Sequence, residues 1–414
     1  MKGTRDILPE EAFVFQYIED ISRFIFELYG YSEIRTPIFE ETSLFERGVG
    51  GATEIVEKQM YTFLDKKGRS LTLRPENTAG VVRAYLEHNL SLKGKVARLY
   101  YIGPMFRYER PQKGRERQFY QIGTEAIGDS NPGCDAETIG MARDVLEEIG
   151  IQDFEIKINS IGCKDCQPGY KEILFKYFKD KKICDDCKIR LLKNPRRILD
   201  CKREECQEAI NDAPGSIEVL CLTCNEHFES VKNLLSLINV GYKIEPRLVR
   251  GLDYYTRTVF EIINPCLGSQ NGICGGGRYD NLIEELGGRP TPAIGCSFGV
   301  ERLMLSLKEK PIITSKYDIY IAYLPNYFNE AFSLGNTLRK EGFSLFMDYN
   351  PKALKTQFKE ASKNASYTII VGDEIKEGGV GIKDMEKNLQ FEVSCDKIAD
   401  WISEYEKNKE NRKN

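Results

Sequence analysis

The chain has 414 residues, 41% hydrophobic and 29% charged, a globular balance in a length too great for one ordinary core, so two or three domains are expected. Residues Met1 to Pro9 lack the charged-then-apolar layout of a secretion signal, and no stretch is long enough to cross a bilayer, which predicts a cytoplasmic protein without a membrane partner. A net charge of -4 argues against a globally basic nucleic-acid binder, although charge can be concentrated locally.

Taken in chain order, Pro9 at a first-turn position, Glu10 and Glu11 behind it, and apolar Phe13, Tyr17, Ile21, Phe24 and Leu28 predict an amphipathic helix closed by Gly30. Next come two β-rich runs, Leu99 to Tyr108 and Gln118 to Ile127, broken by Gly103-Pro104 and by Pro111 through Gly114. They predict an antiparallel hairpin with a charged loop. Between Lys93 and Gln118 stand eight basic residues (Lys93, Lys95, Arg98, Arg107, Arg110, Lys113, Arg115, Arg117) against two acidic ones, Glu109 and Glu116. Arginine dominates, and its planar fork matches phosphate oxygens, which favours a phosphate site over a merely solvated face.

Asp135 to Ile149 predicts a helix, and a cysteine- and lysine-rich stretch from Cys163 to Cys224 predicts, with its flanks, an insertion at 161–240. Strand signals return at Pro246 to Val249 and Thr256 to Ile263, before a helix near Val300. Beyond Pro311 the pattern becomes strand Ile319–Leu324, helix Asn329–Glu341, strand Ser344–Met347, helix Leu354–Ala365 and strand Tyr367–Val371. That alternation predicts a small, largely parallel α/β domain at 317–406, with 407–414 as a frayed tail. The antiparallel body then occupies 1–160 and 241–312 on either side of the insertion.

On the Gln118 to Ile127 strand, Gln121, Gly123 and Glu125 lie two apart and share a face continued by Phe119 and Arg117. A glutamine and a carboxylate flanking a glycine suggest the floor of a pocket with a gap where a ligand can approach; a strand face open to water is the plainer alternative. Thirteen cysteines in a long chain without a secretion signal point to thiols or metal rather than disulfides. Cys163-x2-Cys166 and Cys184-x2-Cys187, seventeen residues apart, have the spacing of one tetrahedral Zn²⁺ site, and Cys201-x4-Cys206 with Cys221-x2-Cys224 could form a second. Inert reduced thiols are the alternative.

The segment Phe106-Arg107-Tyr108-Glu109, with Arg115-Glu-Arg-Gln-Phe119 returning on the next strand, resembles motif 2 of the class II aminoacyl-tRNA synthetases. Ile294-Gly-Cys-Ser-Phe-Gly-Val-Glu-Arg302-Leu resembles motif 3, and Phe13 through Pro37 resembles motif 1, which implies a homodimer. Leu248-Val-Arg250-Gly-Leu-Asp-Tyr254-Tyr255 and Gly275-Gly-Gly-Arg278-Tyr279-Asp280 resemble the signatures of the histidyl-tRNA synthetase family. Leu73-Arg-Pro-Glu76-Asn-Thr78 matches it too, although the family more often has glycine where Asn77 stands. The C-terminal segment resembles that subclass's anticodon-binding domain at Leu354-Lys-x-Gln-Phe-Lys and Ile369-Ile-Val-Gly-Asp373-Glu.

The resemblance implies an α+β fold: an antiparallel-sheet catalytic domain with helices, an inserted mainly helical domain and a C-terminal α/β anticodon-binding domain. It also implies that L-histidine, ATP with Mg²⁺ and tRNA(His) are bound. Arg107 and Arg250 would be the catalytic cations at the α-phosphate. Glu109, Arg115, Phe119 and Arg302, with Arg107, would hold ATP, while Glu76, Thr78, Gln121, Glu125, Tyr254, Tyr255 and Tyr279 would hold histidine. A structural ion pair of Arg250 with Asp253 or another acid is the plain alternative for that arginine. The rival reading is a non-catalytic paralogue, such as the regulatory subunit of ATP phosphoribosyltransferase. A zinc-dependent RNA-binding protein would leave the polar pocket face unexplained.

Overall fold

A strand with one face in the core and one over a cleft must alternate, and the Gln118–Ile127 strand does so: Ile122, Thr124 and Ala126 face one way and Gln121, Gly123 and Glu125 the other. The computed structural model describes residues 2–50, 53–92, 94, 96–309, 311, 317–350 and 352–410. Lys93 and Lys95 of the basic stretch, and 411–414 of the tail, lie outside them. The chain divides into two compact units, Met1–Pro311 and Ile312–Asn414.

In the first unit an eight-stranded sheet runs in the order Ser32–Glu33, Ala97–Phe106, Gln118–Ile127, Ala293–Gly299, Gly272–Arg278, Thr256–Ile263, Glu155–Ser160, Lys243–Ile244. The six inner strands are antiparallel, and a short parallel strand closes each edge. Ile122, Ile158, Phe260, Ile294 and Phe298 share a core with helices Pro9–Leu28, Pro132–Ile149 and Leu222–Leu237. The opposite sheet face is left for the cleft. Pro246–Val249 is not a strand: after Lys243–Ile244 the chain turns, Leu248 N–H donating to the Glu245 carbonyl at 2.8 Å. Pro246 has no N–H to give a ladder, which favours the turn.

Helix Pro9–Leu28 carries its acidic pair in the first turn and ends before Gly30, whose φ of +76° suits glycine. Its core stripe, however, is Val14, Phe15, Ile18, Ser22, Ile25 and Phe26. Phe24 and Leu28, from the stripe the sequence predicted, are 56% and 66% exposed. The helix is apolar on two faces, so periodicity alone cannot say which one the sheet covers.

Between residues 161 and 242 the described chain is helical and loop-like, without a strand. Tyr170, Leu174, Phe178, Cys187, Ile198 and Ile210 form a small core of their own. The last helix there, Leu222–Leu237, instead puts Phe228, Val231 and Leu235 into the main core.

In the second unit Leu345–Phe346, Tyr317–Tyr323 and Ala365–Val371 are parallel, but Gly379–Asp384 and Leu389–Ser394 continue the sheet antiparallel. The sheet is therefore mixed rather than largely parallel. The reversals rest on local turns: Gly378 has φ +82°, Asn388 has φ +56°, and the Asp384 carboxylate accepts from the N–H groups of Glu386 and Lys387 at 2.8 and 2.9 Å. The final helix runs Ile398–Glu410, so it takes in Lys407 to Lys409 of the expected tail, and Lys409 pairs with Glu386 at 2.6 Å.

Candidate active site

A cleft of about 930 Å³ opens over the sheet's free face, and all thirteen non-cysteine candidates line it: Glu76, Thr78, Arg107, Glu109, Arg115, Phe119, Gln121, Glu125, Arg250, Tyr254, Tyr255, Tyr279 and Arg302. Its floor comes from the inner strands. Three large polar side chains lie flat across that floor because each passes over a glycine. Glu125 lies over Gly295, Arg250 reaches over Gly275 toward Glu261, and the Tyr101 ring lies over Gly123. A Cβ at any of the three would overlap the side chain it faces. The gap predicted at Gly123 for a ligand is thus filled by Tyr101, which itself lines the cleft.

At one end Glu125 is buried and doubly held, accepting from Thr78 Oγ1 at 2.8 Å and from the Tyr279 hydroxyl at 2.5 Å. Burial pushes its carboxyl well above the usual range, although both hydrogen bonds favour the charged form. Tyr254 donates to Thr78 Oγ1 at 3.4 Å, and its ring packs against Tyr255 and Tyr279. Glu76 accepts from the N–H groups of Thr78 and Ala79 at 2.8 and 3.0 Å, at the start of helix Thr78–Glu87, where a carboxylate complements the helix dipole. Asn77 has φ -118°, open to any residue, so no glycine is needed there. Gln121 Oε1 is buried without a hydrogen-bond partner, an acceptor suited to an ammonium.

At the other end the cations gather. Arg107 donates to the Pro75 carbonyl at 2.8 Å and lies 5.2 Å from the Phe119 ring. Arg115 pairs with Glu109, and Arg302 donates to the carbonyls of Gly114 and Gly272 at 3.2 and 2.6 Å. Burial lowers Arg107, and burial with the nearby charges of Arg107 and Arg115 lowers Arg302 to about 10. Burial also acts against the charged form of Arg250, but Glu261, paired at 2.8 Å, outweighs it and holds Arg250 above the usual value. Crowded, partly desolvated cations of this kind are stabilised by an incoming anion.

Arg250 therefore does not pair with Asp253, which is held instead by Arg197 at 3.0 Å and Asn194 at 3.0 Å. Glu261 was legible in principle, as the lone carboxylate in the apolar strand Thr256–Ile263. Tyr101 carried no such signal.

The cysteines group differently from their order along the chain. Cys163, Cys166, Cys221 and Cys224 meet in one cluster, and Cys184, Cys187, Cys201 and Cys206 in another. The expected quartet Cys163, Cys166, Cys184 and Cys187 does not form. Helix Cys166–Phe178 carries the chain away before the second pair, and helix Glu204–Asn211 with the following turns brings the fourth pair back to the first.

The histidyl-tRNA synthetase family model matches residues 3–303, nearly three quarters of the chain. The chain belongs to the histidyl-tRNA synthetase family. An anticodon-binding-domain model matches 318–405 of this family member. It is 48% identical to the histidine–tRNA ligase of Halothermothrix orenii over 98% of both chains. It is also 48% identical to that of Desulforamulus reducens, over 97% of this chain and 98% of the relative. The crystal structure of apo S. aureus histidyl-tRNA synthetase superposes with a TM-score of 0.81 at 37% identity, covering 97% of this chain and 98% of that one.

Motif 3 also places Glu301, which accepts from the Tyr120 N–H at 2.9 Å; burial nevertheless pushes its carboxyl up to about 7. Its folded pKa lies above the unfolded value, so the stability linked to its protonated form is complete below about 4.5 and lost as pH rises through about 7. The change is on the order of 3 kcal/mol. In the Glu301→Gln variant of this chain, the fall in thermal midpoint between pH 5 and 8 should flatten, since the amide keeps the acceptor and cannot ionise. An unchanged slope would assign it to other groups.

Proposed function

We propose that this chain activates L-histidine with ATP, forming histidyl-adenylate and pyrophosphate, and then transfers the histidyl group to the 3′-terminal ribose of tRNA(His). The observation that carries the reading is the clamp on Glu125, at one end of a cleft whose other end holds Arg107, Arg250 and Arg302. Imidazole offers one N–H donor and one acceptor, so a carboxylate and a neighbouring phenol can read its edge. Glu125 and Tyr255 take those roles, with Tyr254 and Tyr279 shaping the walls. Gln121, Glu76 and Thr78 meet the ammonium end.

A histidine carboxylate oxygen attacks the α-phosphorus, and the bond to the leaving pyrophosphate breaks. Both reactants are anionic, so Arg107 and Arg250 lower the barrier by their charge, without a protein nucleophile. Arg115 and Arg302 hold the outer phosphates, Glu109 the adenine amino group, and Phe119 the ring face opposite Arg107. ATP would come as its magnesium complex, as in the family generally, and Mg²⁺ would supply neutralising charge at the phosphates. Glu109 and Glu261, the carboxylates beside Arg115 and Arg250, are already paired with those arginines and so are not free to hold a metal. The second unit supports tRNA binding through its anticodon-domain match.

A homodimer fits the exposed apolar face of helix Pro9–Leu28 and the small sheet Phe39–Glu41, Ser70–Leu73, Tyr61–Leu64, where Phe39, Phe63 and Leu64 are exposed; light scattering on the full chain reads this directly. The helical stretch within 161–240 is then an insertion in a catalytic domain spanning 1–160 and 241–312, and a cytoplasmic location goes with the role. A structural zinc in the cysteine-rich part takes no part in the bond changes. The regulatory-subunit reading is disfavoured because the ATP-facing arginines and the C-terminal unit are all present.

The test is exchange of labelled pyrophosphate into ATP, with histidine and with each other amino acid. Exchange is expected with histidine alone, and Glu125→Gln should lower kcat/KM for histidine roughly 10- to 100-fold, as loss of a charge-assisted hydrogen bond does. Folded protein that binds histidine without exchange would favour the regulatory reading.

A further inference from the structure

The two cysteine clusters lie outside the chemistry proposed above, and their geometry is specific. In each, one sulfur from each of four cysteines lies within 4.8 Å of the other three. The Cys163–Cys166 sulfurs are 3.7 Å apart and the Cys184–Cys201 sulfurs 3.9 Å. Zn–S bonds of about 2.3 Å in a tetrahedron give S···S edges of about 3.8 Å. An iron–sulfur cluster would spread its four thiolates over more than one metal atom, and a disulfide would bring two sulfurs into bonding contact. All eight are free thiols. Each cluster also has a backbone N–H aimed at a sulfur, Cys221 to Cys166 and Cys184 to Cys206, both at 3.2 Å. Such bonds favour thiolate over thiol.

We propose that each chain holds two structural zinc ions in nested sites, an outer one on Cys163, Cys166, Cys221 and Cys224 and an inner one on Cys184, Cys187, Cys201 and Cys206. Four clustered thiolates repel one another, and a divalent ion removes that repulsion while releasing their protons. The four inner cysteines are buried, where uncompensated charge would be costly.

Both sites bear on the cleft. On either side of the outer site's first ligand pair, Gln167 donates to the Tyr255 carbonyl at 3.2 Å, and Arg257 N–H donates to the Gly162 carbonyl at 2.8 Å. The outer ion thereby fixes the neck of the insertion against the Tyr254-Tyr255 segment. Between the inner pairs run Asn194 and Arg197, which hold Asp253. The inner ion thereby fixes the insertion against the loop that carries Arg250.

The decisive experiment is metal analysis of the full chain purified from zinc-containing medium without chelator. Two zinc ions per chain are expected. The variant Cys163→Ser/Cys221→Ser should keep one, because both residues belong to the outer site. Pairing in chain order would spread the two substitutions over both sites and leave none. Should the variant fail to fold, cadmium-113 correlations to the cysteine β-protons identify the ligands of each ion in the unmutated, cadmium-loaded protein. Two resonances, each coupled to one nested quartet, are expected. A metal-free unmutated chain, a single ion, or couplings that follow chain order would overturn the proposal.

Discussion

Arg250→Ala is expected to lower histidine-dependent pyrophosphate exchange by roughly 10²- to 10³-fold, the usual cost of removing one charged donor from a transition state. Arg250 lies over Gly275, anchored by Glu261 at 2.8 Å on the neighbouring strand, with its Nε buried and unpartnered. It is held in place before substrate arrives, so no reorganisation is needed at the reacting phosphate. The same geometry makes Gly275→Ala a second route to the same loss, because the new Cβ would overlap the guanidinium. The two losses should not add: the double variant should be about as slow as Arg250→Ala alone. Steady-state exchange with histidine and ATP varied separately checks both. Normal kcat in folded Gly275→Ala protein would show that Arg250 needs no such gap.

Arg278→Met is expected to destabilise the first unit by about 3–5 kcal/mol, the cost of stranding one partner of a buried ion pair. Arg278 and Asp135 are both fully buried and pair at 2.8 Å. Arg278 also donates to Asp280 at 3.2 Å and to the carbonyls of Asp129 and Asn131 at 3.0 and 3.1 Å. Asp135 would keep only His227, at 3.1 Å. Burial favours its neutral form, but His227 and Arg278 together hold its carboxyl below the usual value, and methionine removes the second of these. Asp135→Asn in the same chain should restore part of the loss.

Urea unfolding separates this from any effect on the second unit. The single tryptophan, Trp401, lies in the C-terminal core, so its fluorescence follows that unit while far-UV dichroism follows the whole chain. The dichroism transition should move and the fluorescence transition should stay. Equal movement of both would mean that the two units unfold as one.

Local chemistry made much of this protein legible from its sequence. The helix after Pro9, the strand Thr256–Ile263, the hairpin of Ala97–Phe106 with Gln118–Ile127, and the family resemblance all follow from residues close together in the chain. Those signals are short-range: caps, alternation, turn residues and motif spacing. Contacts between distant segments were decided only by the tertiary structure. Cys163 meets Cys221 rather than Cys184 because the helices between them set the route back, and Arg250 meets Glu261 rather than Asp253 because the guanidinium turns over Gly275 onto the strand Thr256–Ile263. The face of Pro9–Leu28 that is buried depends on where the sheet stands, since both faces are apolar. Gly123 and Gly295 likewise acquire their meaning from Tyr101 and Glu125 across the ladder, and Gly275 from Arg250 passing over it; strand register is a property of paired chains that no single segment carries.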